Sequence, residues 1–236
     1  MTVLQQHLRN LNQAPASGLA ASNRLSALPP LTPADDLSLN APGKALQPKL
    51  AAETAGPAAR LLARLLRRPA AGDSWRKGAT GERRVGAELD RLQCQGWRVL
   101  HSIPLPRGVD LDHLLIGPGG VFSINTKHHP KQAIWVGDDA VKVEHGTPRP
   151  YPRKSRAEAQ RVQRVLERYC GFAVPVEPVL VFVGVTDLKV VATQLAVRVY
   201  REREVAALAP LSGVWSVDQV EQIYGVARHR QAWLEA

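Results

Sequence analysis

The stretch from residue 109 to residue 128 constrains this chain more than any other. Two apolar-rich runs, 109–116 (VDLDHLLI) and 121–128 (VFSINTKH), are separated by Gly117-Pro-Gly-Gly120. Glycine and proline at that density mark a reversal, and the flanking branched and aliphatic residues mark strands. The spacing predicts an antiparallel hairpin in which Ile116 faces Val121, Leu114 faces Ser123, Asp112 faces Asn125 and Asp110 faces Lys127. Side chains two apart share one face of a strand. Asp110, Asp112, Asn125 and Lys127 therefore fall on one face, at the end remote from the turn, with opposed Cβ atoms only ~5 Å apart.

Charges gathered this way are costly to bury unless they are paired or bound to metal. Two readings stand at this point. In one, the carboxylates hold a hard cation such as Mg²⁺, which takes one or two carboxylates plus water and phosphate. Lys127 then positions or deprotonates water and offsets charge on phosphate. In the other, an Asp/Lys pair simply braces an exposed strand end. A third carboxylate comes from upstream. Val85, Leu89 and Leu92 recur at helical spacing and predict a helix over 80–93. Glu82 lies in line with that stripe, whereas Arg83 and Arg84 read as solvated. Glu82 either completes the ring of acids or only favours the helix N-terminus.

Around this hairpin, strands are expected at 97–103, 134–136, 141–143 and 179–183, with at least one more within 190–200. Helices are expected at 155–169, opened by a Ser155/Glu158 capping box, and at 216–233, opened by Ser216/Gln219. The helix over 155–169 carries a basic face. Arg153, Lys154, Arg156, Arg161, Arg164 and Arg168 crowd its length, and Arg161, Arg164 and Arg168 repeat at i, i+3, i+7. Such a stripe suits a phosphate backbone but reads no bases; it is otherwise an ordinary solvated face. His113 alternates to the face opposite Asp112, and His128 and His129 point to opposite faces, which argues against a histidine zinc site. His129 stands as an accessory position at the site edge, as does Asp110.

The N-terminal third differs in composition. No aromatic residue precedes Trp75, and eight of the 18 prolines lie within 1–72. Such a segment buries too little apolar surface to offset its ordering entropy, so 1–72 reads as a mostly disordered basic arm before a domain at 73–236. Within the arm, 58–68 (AARLLARLLRR) reads as a short amphipathic helix that either touches an anionic surface or docks. The formal net charge of +10 suits a polyanionic partner. Two cysteines, no apolar run of membrane-spanning length and no secretory h-region make a reduced, cytoplasmic setting the expectation.

Three ordered motifs now bear on identity: Gly78-Ala-Thr-Gly-Glu82, then Val109-Asp-Leu-Asp112-His113 running into Gly120-Val-Phe, then Ile124-Asn-Thr-Lys127. Together they resemble the nuclease-related domain (NERD) family of the PD-(D/E)xK nuclease-like superfamily, closely over 75–185. The resemblance implies an α/β, restriction-endonuclease-like mixed sheet flanked by helices, with the site on the central hairpin. It implies divalent-metal-dependent hydrolysis of DNA, with Mg²⁺ or Mn²⁺ as cofactor. Glu82, Asp112 and Lys127 match the family's helix acid, strand acid and lysine; Glu82, Asp112 and Asn125 would be the metal ligands. Asn125 departs from the family, standing where a Glu is usual. That substitution keeps open a second outcome, a catalytically impaired nucleic-acid-binding module. The family's Pro-x-x-Gln is also altered, to Pro152-Arg-Lys-Ser155.

Overall fold

The computed structural model describes residues 28–47 and 73–236. In chain order the main elements are α1 (Asp73–Asp90), β1 (Arg98–Leu105), β2 (Val109–Gly117), β3 (Gly120–His128), β4 (Ala133–Val136), β5 (Val141–Val143), α2 (Tyr151–Cys170), β6 (Val176–Val183), β7 (Asp187–Val190), β8 (Arg198–Arg201) and α3 (Val217–Ala227). Five strands form one mixed sheet in the order β1-β2-β3-β6-β8, and three form a smaller one, β5-β4-β7. Strands β1 to β3 are an antiparallel meander; β6 runs parallel to β3, and β8 parallel to β6. This is the α/β class expected, with helices on both faces of the sheet.

Strand alternation explains the layering. On one face Phe122, Ile124, Val179, Val181 and Val183 pack with Val85 and Leu89 of α1. On the other, Leu114, Ile116 and Val121 meet Ala159, Val162 and Leu166 of α2 and Val220 and Ile223 of α3. Leu180 and Phe182 meet Ile134, Val136 and Val141 of the small sheet. Covering β6 on both sides is why its sequence is an unbroken apolar run.

The hairpin closes more tightly than a four-residue loop. Gly117 pairs with Gly120, leaving Pro118 and Gly119 in the turn, and the expected register follows: Ile116 with Val121, Leu114 with Ser123. Gly117 is required by close approach. A Cβ there would lie 2.3 Å from the fully buried Trp97 ring.

Helix α2 starts four residues before the expected position. Pro150 is its N-cap and a proline occupies its first turn, where the missing N–H costs nothing. Ser155 is thus fully buried in the second turn, its Oγ without a hydrogen-bond partner among the described residues. The Ser155/Glu158 capping box does not form, because that residue pair lies inside the helix. The Ser216/Gln219 box does form at α3, but α3 ends at Ala227 and a separate 3₁₀ turn covers Arg230–Trp233.

Part of the stretch whose composition reads as an arm lies on the domain. Residues 28–47 cross α1 and the C-terminal turn. The Leu37 and Arg230 amides donate to Arg228 and Asp35 carbonyls, both at 2.8 Å. Asp36 receives the Arg228 guanidinium through both carboxylate oxygens. Pro42 nests against Gly86, where a Cβ would lie 2.4 Å from its ring. Two small contacts, Leu37 and Leu46, are buried in place of aromatic anchors. The expected helix at 58–68 lies outside the described residues.

Candidate active site

Pairing between β2 and β3 stops at His113 and Ile124, four residues before β3 itself ends. Beyond that point β3 is held by β6 alone, up to His128 opposite Val183. The anticipated pairs Asp112 with Asn125 and Asp110 with Lys127 are therefore not ladder pairs. Instead the Asp112 carboxylate bridges to β3, its Oδ2 accepting the Thr126 amide at 2.7 Å. Asn125 and Lys127 still share the α2 face, because parity along β3 is unaffected by where the ladder ends.

On β3, residues alternate as expected. Thr126 and His128 point to α1; a Cβ at Gly81 would lie 3.2 Å from Thr126 and 2.9 Å from His128. Ser123, Asn125 and Lys127 point to α2. Lys127 donates from Nζ to Asn125 Oδ1 and, at 3.2 Å, to the Thr126 carbonyl. Its ammonium also sits 5.2 Å from the centroid of the Tyr151 ring, within cation–π range.

Glu82 is buried on α1, as its alignment with Val85 implied. Burial, then the Asp112 charge, push its carboxyl up to about 8; Asp110 adds to the rise, while Lys127 and the Gly43 amide oppose it. The Asp112 carboxyl is raised too, by burial first and by Asp110, against the pull of Lys127 and the Thr126 amide. The charges of Asp110 and Lys127 thus act on both Glu82 and Asp112. Gly43 belongs to the segment laid over the domain, so that segment touches the helix acid directly.

A fourth carboxylate joins them from α2. Glu158 accepts from Ser123 Oγ at 3.2 Å and from Asn125 Nδ2 at 3.3 Å to each oxygen. Burial and the Asp112 charge raise it to about 7, opposed by Lys127, Asn125 and Ser123. Sequence reasoning missed Glu158 by assigning it to a helix cap. The signal that would have placed it was Pro152, which fits the first turn of a helix and moves the true start upstream.

The histidines separate as their alternation predicted. His113 is fully buried, its Nδ1 2.8 Å from His101 Nδ1, and His101 Nε2 lies 3.2 Å from Asp90. His128 Nδ1 meets the Lys77 carbonyl at 2.8 Å. His129 stays beside the site: its Nε2 is 3.3 Å from the Tyr151 hydroxyl, which also accepts from Arg149 at 3.0 Å. Burial and the neighbouring Arg149, Lys127 and His128 lower its pKa and so favour the neutral ring; a hydrogen bond with Gln132 acts in the opposite direction.

The basic residues of α2 divide in two. Arg156 pairs with Asp139, and Arg168 with Glu235 at 3.3 Å. Among the described residues no ion pair engages Arg153, Lys154, Arg161 or Arg164. Lys154 and Arg161 stand one turn before and one turn after Glu158, on the same side of the helix.

Among the described residues no three His, Cys, Asp or Glu side chains form a ready-made metal cage. An open site asks for less: Mg²⁺ is commonly held by one or two carboxylates, the rest being water and phosphate oxygens. Glu82, Asp112 and Glu158 are carboxylates of that chemical type, each raised by burial and by a neighbouring charge. No helix among the described residues is long and apolar enough to cross a membrane. Residues 77–183 match the family model described as the nuclease-related domain. No curated protein and no solved structure matches the chain.

Proposed function

With residues 77–183 forming a nuclease-related domain, of the general PD-(D/E)xK nuclease-like kind, we propose that the chain hydrolyses DNA phosphodiester bonds with the help of a divalent cation, Mg²⁺ or Mn²⁺. What supports this reading is that Glu82, Asp112 and Lys127, the motif positions, lie within that matched region, and that the charges of Asp112 and Lys127 act on Glu82.

Glu82 and Asp112 would hold the cation, with Asn125 Oδ1 as a neutral donor shared with Lys127. When bound, the cation polarises a phosphate oxygen and makes its water more acidic. Lys127, steered by Asn125, the Thr126 carbonyl and the Tyr151 ring, orients water toward phosphorus and offsets charge on the phosphate oxygens. Tyr151 in turn is held by Arg149 and His129, which makes His129 an accessory at one remove. Lys154 and Arg161 extend the positive surface from Glu158 along α2, to receive flanking phosphates. Arg153 and Arg164 add to it, and Arg156 and Arg168 contribute less because Asp139 and Glu235 already neutralise them.

The test is incubation of purified protein with linear, nicked and single-stranded DNA, with Mg²⁺, with Mn²⁺ or with chelator. Cleavage that needs the metal and disappears in Asp112→Ala and in Lys127→Ala supports the reading. Undiminished cleavage by either variant refutes it. A second reading rests on Asn125, which supplies no charge where the family has an acid: the domain retains DNA without cutting it. Salt-sensitive retention with no cleavage in either metal identifies that case.

A further inference from the structure

Asn125 poses a question that the neighbouring helix answers. Its amide is used at both ends, Oδ1 by the Lys127 ammonium and Nδ2 by both oxygens of Glu158. An acid at 125 would turn a carboxylate toward Glu158 and face repulsion. An amide turns a donor toward it. Ser123, two residues earlier on the same face, adds a second donor to Glu158 Oε1. The two β3 side chains that precede Lys127 on this face thus cradle one carboxylate delivered by α2.

Resting on the nuclease reading above, we infer that Glu158 is the site's missing acid: the carboxylate usual at position 125 is supplied here from α2, and Glu158 is a direct ligand or water-bridged holder of the cation. The charge count agrees. Asn125 removes one negative charge from beside Lys127, and Glu158 returns one through the same amide, which bonds Lys127 with its oxygen and Glu158 with its nitrogen. The position on the helix agrees as well, since Glu158 is flanked by Lys154 and Arg161 and so lies where a backbone phosphate would sit between them. Beside lending its oxygen to the cation, Asn125 then also positions its neighbours, aiming Lys127 with that oxygen and Glu158 with its nitrogen.

The test is Mn²⁺ binding by the full chain, followed by calorimetry and by the electron paramagnetic resonance signal of free Mn²⁺, without DNA. Glu158→Gln should weaken binding at least ten-fold, as should Asp112→Asn. Asn125→Glu alone should not tighten binding, because two acids then compete for one place. The exchange Asn125→Glu with Glu158→Gln should bring affinity back to within about three-fold of the parent. Circular dichroism of each variant checks that it is folded. Parent-like Mn²⁺ affinity in Glu158→Gln, with Asp112→Asn weakened, overturns the inference and leaves the nuclease reading standing. No Mn²⁺ binding by the parent overturns both. Mn²⁺ binding that needs Glu158, without any DNA cleavage, supports the inference and overturns the nuclease reading.

Discussion

Glu82 makes the cost of the acidic cluster measurable. Its carboxyl stands at about 8 against an ordinary 4.5, so the folded protein binds this proton more tightly than the unfolded chain does. The stability tied to that proton is fully present below 4.5 and is lost as pH rises through about 8. At 1.36 kcal/mol for each tenfold in proton affinity, the loss is about 3 kcal/mol by pH 7 and about 5 kcal/mol by pH 9, as an upper bound. Glu82→Gln keeps the shape and an oxygen to accept the Gly43 amide, and it removes the charge. The variant should match the parent near pH 4 and exceed it in stability above pH 7, by up to these amounts. Urea unfolding in chelator, at about pH 4.5, 7 and 9, reads the difference directly from midpoint and slope. Adding Mg²⁺ near pH 8 should raise the parent's stability more than the variant's, since a ligand that binds only the folded state stabilises it. Parallel stability curves for parent and variant would refute the reasoning, because they would mean that charge at 82 is not what the buried site resists.

Other consequences follow from separate parts of the molecule. Asp36→Ala removes the paired hydrogen bonds to Arg228 and the Ser38 contacts, and should cost about 1–3 kcal/mol by thermal or urea unfolding; proteolysis should then cut within 28–47 faster than in the parent. Gly117→Ala drives a methyl into the Trp97 ring and should destabilise by about 3 kcal/mol or more, with Mn²⁺ affinity of the folded fraction unchanged. His113 is held well below its ordinary pKa by burial and by His101. Its neutral form favours the fold, so this contribution is present above pH 6.5 and is lost as pH falls below it; His113→Phe should flatten that acid limb in unfolding measured between pH 5 and 7. Lys154→Ala and Arg161→Ala should each reduce the slope of log binding constant against log salt by about 1. Arg168→Ala, already paired with Glu235, should change it less; equal effects would contradict the division of the basic face.

Much of the fold was readable from local chemistry. The turn residues at 117–120, two-residue alternation and the apolar run at 179–183 place three adjacent strands and their buried faces, because these features depend only on neighbours in the chain. Helix ends were less legible. Ser155 and Glu158 have the spacing of a cap, and only burial of Ser155 and the start of α2 at Tyr151 show otherwise. Residues 28–47 were opaque for a related reason. They carry no aromatic anchor, and their order comes from Asp36 on Arg228, nearly two hundred residues away.

The sequence by itself determined which side chains share a face. Asn125 and Lys127 had to lie on one face of β3, and Glu82 had to point inward, because strand and helix periodicities are set by backbone geometry. Tertiary structure alone decided what those residues meet. The parting of β2 from β3 turned Asp112 onto the Thr126 amide. The packing of α2 across β3 brought Glu158 to Asn125 and Tyr151 to Lys127. The crossing of 28–47 over α1 set the Gly43 amide on Glu82. Contacts of this kind join residues far apart in the chain, so no local pattern encodes them. They arise only when the helices find the sheet faces that bury them.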